Sequence, residues 1–525
     1  MSGAVLMVQG TMSSVGKSLL VAALCRIFKQ DGLRVAPFKA QNMALNSFAT
    51  CDGREIGRAQ AMQADAAGVD VTVEMNPVLI KPEADSFAQI VVLGKPWVRL
   101  SAGEYMQRRG ELWSIVTRAL DSLRAQYDIV VIEGAGSPVE LNLRRGDLVN
   151  MAIAEYADAP VLLVGDIDRG GIFAQLLGTH ALLEESERAR VEGFIANKFR
   201  GDARLFVDGV KILEERSGVP VIGVMPFMRD LRIADEDSVA LDSTEDGGRK
   251  TEIIGHRSSD VRPLSLDIVV IRLPRISNFD DFDPLCAEGD VTVRFVDRVE
   301  DLREPDLIIL PGTKTTIADL KFLRERGLAT RIVELACAGT PLIGICGGYQ
   351  MLGAQILDPQ RVESDEAQVA GLGLLPLVTT FDAEKQTVRA RGAVMASGGL
   401  FENARGLEIV GYEIHMGQTR ADCASFVRLT ACGENAVDDC DGAVDARGWI
   451  AGTYFHGLFD NDALRAVMLT NLAARKGIAR TTHMRFERGA AYDRLAQVAR
   501  ANLKMDLVYR LLGLNGTRTN ADERG

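Results

Sequence analysis

The chain has 525 residues, 47% hydrophobic and 25% charged, which is the composition of folded globular proteins, leaves room for about three domains and excludes disorder along its whole length. Its 60 Lys and Arg against 72 Asp and Glu give a net charge of -12, the wrong sign for a surface that tracks nucleic acid or anionic lipid, so any anionic ligand has to be met by a local site. The 8 cysteines form no CxxC pair and no zinc-like cluster with histidine, MSGAVLMVQGTMSS carries no basic leader, and no run approaches the ~18 apolar residues of a membrane span, so a reducing, cytoplasmic location is expected, without export.

Short β-branched runs alternate with amphipathic helical stretches through the first half: AVLMVQG, RVAPFKA, AQIVVLG, DIVVIEGAG, PVLLVGDID, VEGFIANKF and PVIGVMPF. Continuous apolar strands with helices between them predict a parallel sheet covered on both faces. The first strand runs into GTMSSVGKS and then the helix LLVAALCRIFKQ, so Gly16, Lys17 and Ser18 stand where a helix N-terminus meets an anion. Backbone amides bind phosphate there, Lys17 adds a point charge and the Ser18 hydroxyl suits Mg²⁺. The usual GxxxxGK[ST] spacing puts a glycine at Thr11; here it is Gly10, one place earlier, and the resulting GTxxxxGK[ST] loop, Thr11 included, resembles that of dethiobiotin synthetase. Glu133, Asp166 and Asp168 close their strands at the edge the loop occupies, where oxygen ligands serve Mg²⁺ or substrate, or cap helices.

From about Ile233 to Leu264 the chain is polar and aperiodic, which reads as a linker; a domain is expected over 1–235, the linker over 236–263, a second domain over 264–465 and a helical segment over 466–525 packed on the second domain. The second domain begins with LDIVVIRL, VTVRFVD, DLIILPGTK and PLIGICGGY and becomes strand-rich after about Gly371. In PLIGICGGYQMLG a buried strand leads through Gly344-Ile345-Cys346-Gly347-Gly348 into a helix, the pattern of a nucleophile elbow with cysteine at its centre. The Gly347 amide is placed to stabilise an oxyanion, and Gly312, in the strand-terminal loop Pro311-Gly312-Thr313, is the expected second donor. Of 5 histidines, His456 in WIAGTYFHGLFD follows an apolar strand and is the first choice as base; His415 in LEIVGYEIHMG is the second, and His180, His256 and His483 fall in a helical pattern, the linker and an interhelical stretch. No third acid is evident.

Together these residues resemble the cobyric acid synthase family, glutamine-dependent amidotransferases of corrin biosynthesis, in PFKAQNMALNS, EIGRAQAMQADAAG, MNPVLIKP, EGAGSPVELNL, DIDRGGIFA, LPGTK, GICGGYQMLG, GYEIHMG and YFHGLF, spread over nearly the whole chain. The resemblance implies an α/β protein with an N-terminal P-loop, dethiobiotin-synthetase-like, parallel-sheet domain and a C-terminal class I glutamine amidotransferase-like domain. It implies ATP and Mg²⁺ as co-substrate and metal, no tightly bound prosthetic group, and small-molecule substrates (corrinoid, glutamine, ATP) without nucleic acid or membrane; the oligomeric state stays open. It makes Cys346 the glutaminase nucleophile and His456 its base. Leu458 occupies the place of the glutamate that ordinary class I glutaminases carry, which implies a Cys-His dyad. The family's substrate is adenosylcobyrinic acid a,c-diamide, amidated at its b, d, e and g carboxylates. Residues of AQNMALNS are candidates for corrinoid or nucleotide contact. Rival readings are the enzyme that amidates the a and c carboxylates, the lipid II amidotransferase and, in another class, a partition-type P-loop ATPase switch; chain length and PFKAQNMALNS favour the cobyric acid synthase family over the a,c-amidating enzyme, and the elbow cysteine and acidic balance argue against the switch.

Overall fold

The computed structural model describes residues 2–84, 87–144, 146–228, 265–480 and 484–514. The linker expected over 236–263, His256 and His483 lie outside the described residues. The chain divides into two units, one of residues 2–44, 56–228 and 487–514, the other of 45–55, 265–480 and 484–486.

In the first unit six parallel strands stand in the order Val221–Pro226, Val191–Phe199, Val161–Asp166, Ala4–Gly10, Ile129–Glu133, Val35–Phe38. Six of the seven apolar runs of the first half thus build this sheet. AQIVVLG does not: its strand, Phe87–Val92, lies antiparallel between Val78–Ala84 and Lys95–Ser101 in a separate four-stranded sheet. The reason is local, since Leu93 (φ 45) and Gly94 (φ 74) are the two positive-φ residues of a tight hairpin, leaving no length for a crossover helix. The helix Lys17–Gln30 buries Leu20, Val21, Leu24, Ile27 and Phe28, each contributing about 1.5–3 kcal/mol, against the sheet and against Leu495, Ala496 and Ala499.

The last contact departs from the expected layout. Asp462–Lys476 belongs to the second unit, but Arg488–Asn502 and Met505–Leu511 pack into the core of the first, and Arg26 holds Asp493 at 2.7 Å. Apolar spacing marks that these helices bury a face without naming the core that receives it. Residues 45–55 also leave the first half of the sequence and pack in the second unit.

The second unit holds a six-stranded sheet in the order Val291–Val296, Leu266–Ile271, Leu307–Leu310, Leu342–Ile345, Ile450–Thr453, Ala443–Val444, parallel except for the last pair. Beside it a largely antiparallel sheet is built on the long pair Leu377–Val394 and Glu408–Ala421, the strand-rich part that follows Gly371. Among the described residues no helix is long and apolar enough to cross a membrane.

Candidate functional site

The phosphate loop joins Ala4–Gly10, the strand between Ile129–Glu133 and Val161–Asp166, to the helix opening at Lys17. The early glycine has a steric cause: a Cβ on Gly10 would stand 2.6 Å from Val15 Cγ2 and 2.9 Å from Lys17 Nζ, because the loop folds back over that position. Thr11 starts the loop, its amide on the Val164 carbonyl and its hydroxyl on Gln175. Gly16 is the helix N-cap, Lys17 Nζ donates to the carbonyls of Met12 (3.1 Å) and Gly136 (3.3 Å), and the Val15 carbonyl accepts from Asn197 at 2.7 Å.

Ser18 donates to Glu133 Oε1 at 2.9 Å, and the fully buried Glu133 also accepts from Lys39 at 2.9 Å and Gln63 at 2.5 Å. One buried carboxylate is thereby compensated by one buried ammonium and two neutral donors, a requirement for keeping such a charge out of water. Asp166 pairs with Lys198 at 2.9 Å and Asp168 with Arg200, whose hydrogen bond holds the Asp168 carboxyl below its ordinary pKa. Both aspartates stand on the loop's side of the sheet, engaged in ion pairs. Lys198 also donates to the Ser14 carbonyl at 2.6 Å, so Asp166 braces the loop through it. Among the described residues no group of three His, Cys, Asp or Glu is arranged to hold a metal by itself; the oxygens of Ser18 and Glu133 suit a hard divalent ion that brings its other ligands as water and phosphate.

In the second unit Cys346 follows the strand Leu342–Ile345 with φ 50 and ψ -109, a strained conformation at the head of the short helix Gly347–Met351. The flanking glycines are required by contact: a Cβ on Gly348 would lie 2.0 Å from the Leu310 carbonyl oxygen, and one on Gly344 would lie 2.7 Å from Gly348. The Cys346 amide bonds the Thr453 carbonyl at 2.9 Å and its Sγ the Ile414 carbonyl at 3.4 Å. Gly347, first in its helix, has an amide without an intrahelical acceptor. Gly312 lies alongside, where a Cβ would stand 2.9 Å from the His456 ring.

His456 is brought to the elbow by sheet pairing: Ile345 lies opposite Thr453, so the chain leaving each strand turns into the same edge. The His456 ring is buried, bonded to Asp281 Oδ2 through Nδ1 at 2.7 Å, and close enough to Cys346 to feel the thiol electrostatically. Asp281 Oδ1 accepts from the Gly457 amide at 2.8 Å, which fixes the carboxylate as well. Burial disfavours the charged ring, but the charge and hydrogen bond of Asp281, with Cys346 as a further partner, outweigh it and raise the His456 pKa to about 10. The ring is therefore protonated at neutral pH, a state that pairs with a thiolate and can return a proton to a leaving group.

His415 is a neighbour of another kind. Its ring stacks on Tyr454 (centroids 3.7 Å apart), with Nδ1 3.0 Å from the Gly417 carbonyl and Nε2 3.6 Å from Glu413. His180 lies in the helix Ile172–Leu182, edge-on to Phe194. Asp281 is the residue that the sequence reading missed. It sits in Phe279–Phe282, ten residues beyond the carboxyl end of Leu266–Ile271, so the strand-end rule that picked out Glu133 and Asp166 does not reach it.

Two family models match the chain: the CobQ/CobB/MinD/ParA nucleotide binding domain over residues 6–240, and the CobB/CobQ-like glutamine amidotransferase domain over residues 267–464. Cobyric acid synthase of Dehalococcoides mccartyi is 51% identical over 508 residues, covering 97% of this chain and 98% of the relative. Cobyric acid synthase of Sorangium cellulosum is 52% identical over 531 residues, covering 98% of this chain and 100% of the relative, and that of Pelotomaculum thermopropionicum is 48% identical over 524 residues, covering 98% and 97%.

Proposed function

The chain belongs to the cobyric acid synthase family, and from that premise we propose how its two units divide an ATP- and glutamine-dependent amidation of corrinoid carboxylates. The substrate is adenosylcobyrinic acid a,c-diamide and the amides form at its b, d, e and g carboxylates. The observation that carries the division is that the phosphate loop and the cysteine elbow stand on separate sheets, each in a unit with its own core.

Cys346 Sγ attacks the side-chain carbonyl of glutamine. The amides of Gly347 and Gly312 receive the oxyanion, the C–N bond breaks, and protonated His456 gives its proton to the departing ammonia. His456, now neutral, takes a proton from the water that cleaves the glutamyl thioester, which expels the Cys346 thiolate, releases glutamate and restores the thiolate–imidazolium pair. Asp281 positions the ring, holding the proton on Nδ1 so that Nε2 faces Cys346. The working unit is thus Cys346, His456 and Asp281, with the acid supplied from a different place in the chain than Leu458.

ATP lies on the loop from Thr11 to Ser18, with Lys17 at its terminal phosphates; Ser18 and Glu133 are the residues that would hold Mg²⁺, which supplies charge neutralisation on the phosphates. The γ-phosphoryl group passes to a corrinoid carboxylate, giving an acyl phosphate and ADP. Ammonia then displaces phosphate to form the amide. A carboxylate offers only oxide as leaving group, and phosphorylation replaces it with one that departs readily. Lys39 and Gln63 fix Glu133, while Asp166 and Asp168 support the loop through Lys198 and Arg200.

The test is mass spectrometry of corrinoids after incubation with the chain, glutamine and MgATP. Successive carboxyl-to-amide exchanges on an a,c-diamide corrinoid support the assignment; conversion of the a and c carboxylates instead would identify the earlier enzyme.

A further inference from the structure

Residues 45–55 lie in sequence within the nucleotide-binding half yet pack in the unit that carries Cys346. They form a small turn of their own, closed by the Thr50 amide on the Arg54 carbonyl at 2.8 Å. Three attachments hold this turn. Glu55 makes a buried ion pair with Lys385, Arg389 donates to the Ala49 carbonyl at 3.0 Å, and Asn46 and Ser47 exchange bonds with Asn278: the Asn278 amide donates to Asn46 Oδ1 at 2.6 Å and the Ser47 amide to Asn278 Oδ1 at 2.8 Å.

The third of these, and a ring contact made by Phe48, bear on the glutaminase chemistry. Asn278, at φ 53, caps the turn Phe279–Phe282 that presents Asp281. Phe48 stands edge-on to Tyr412 (centroids 4.7 Å), and Tyr412 stacks on His456 (5.3 Å, planes 22° apart). Tyr412 and His456 are also bridged through their backbones, the His456 amide donating at 2.8 Å and the Tyr412 amide at 3.2 Å. One short segment therefore braces both members of the His456–Asp281 pair, one through Asn278 and the other through Tyr412.

We propose that residues 46–48 are positioning residues of the glutaminase, with Phe48 setting the plane of His456 through Tyr412 and Asn46 and Ser47 setting the Asp281 turn through Asn278. The inference rests on the assignment of Cys346 and His456 made above. Such residues touch no glutamine, so their loss acts on turnover and leaves glutamine affinity nearly intact, whereas general loosening of the unit would move both.

The experiment compares glutamine hydrolysis by the full chain and by three variants. Phe48→Leu keeps apolar volume and removes the ring edge; Asn278→Gly keeps the left-handed backbone and removes the acceptor of the Ser47 amide. Each is expected to lower glutaminase kcat on the order of 10- to 100-fold with glutamine KM changed by less than about threefold, and to retain amidation from ammonium salt, which shows the chain folded. Unchanged kcat in both, or a raised KM at unchanged kcat, overturns the inference. His456→Ala is the third variant: full glutaminase activity there would overturn the assignment beneath it, whereas its loss together with unaltered Phe48→Leu and Asn278→Gly turnover would overturn the positioning role alone.

Discussion

His456 Nδ1 stands 2.7 Å from Asp281 Oδ2, although 175 positions separate the two in the chain. Because the carboxylate accepts at Nδ1, the proton passed to the departing ammonia and regained from water moves at Nε2. Asp281→Asn is expected to reduce glutamine hydrolysis roughly 10²- to 10⁴-fold, since the ring loses both its anchor and the charge that stabilises its protonated form. Glutaminase turnover of this variant beside its ammonia-dependent synthesis, which should persist, checks the point.

The same contact sets a pH dependence. His456 is raised from its ordinary 6.5 to about 10, so the pair's contribution to stability is fully present below about 6.5 and is lost as pH rises through 10. In Asp281→Asn the thermal midpoint should fall less between pH 7 and 10 than in the unaltered chain. The alkaline limb of glutaminase kcat/KM should likewise move toward the ordinary histidine range. Parallel melting curves with equal slopes against pH would refute the linkage.

For the choice of base, His456→Ala should slow glutaminase by roughly 10²- to 10⁴-fold while His415→Ala acts less, because His415 is stacked on Tyr454 and bonded to the Gly417 carbonyl. If alkylation of Cys346 slows more in His415→Ala than in His456→Ala, the two roles must be exchanged.

The elbow itself gives a stability prediction. In Gly348→Ala the new methyl meets the Leu310 carbonyl oxygen, a backbone atom, at 2.0 Å, and relief requires the helix to shift. A loss of about 3 kcal/mol, or roughly 6–12 °C in the midpoint of the second unit, is expected by calorimetry, with glutaminase activity falling more than the stability. An unshifted midpoint would mean that the turn relaxes freely.

Much of this was legible in the sequence, for physical reasons that differ from place to place. Strands buried on both faces, such as AVLMVQG and DIVVIEGAG, leave continuous apolar runs, and the glycines around Cys346 are dictated by contacts within a few residues. What escaped was set by distant packing or by a turn. AQIVVLG looks like its neighbours until Leu93-Gly94 turns it into a hairpin; Arg488–Asn502 shows its apolar face but not the core it enters; and Asp281 reaches His456 only because Leu266–Ile271, Leu307–Leu310, Leu342–Ile345 and Ile450–Thr453 lie side by side with their carboxyl ends at one edge. The placement of residues 45–55 has no local signal at all, since its partners Lys385, Arg389 and Tyr412 lie more than 300 positions away.

The central claim is that one unit supplies ammonia and the other activates the carboxylate. It is tested most directly by counting amides on the corrinoid by mass spectrometry in Cys346→Ala and Lys17→Ala, each supplied with MgATP and either glutamine or ammonium salt at high pH. Cys346→Ala should form amides from ammonium salt and none from glutamine. Lys17→Ala should fail with both donors, losing about 3 kcal/mol of transition-state stabilisation, roughly 10²-fold in rate. Loss of both activities in a folded Cys346→Ala, or near-normal use of ammonium salt by Lys17→Ala, would contradict the division of labour.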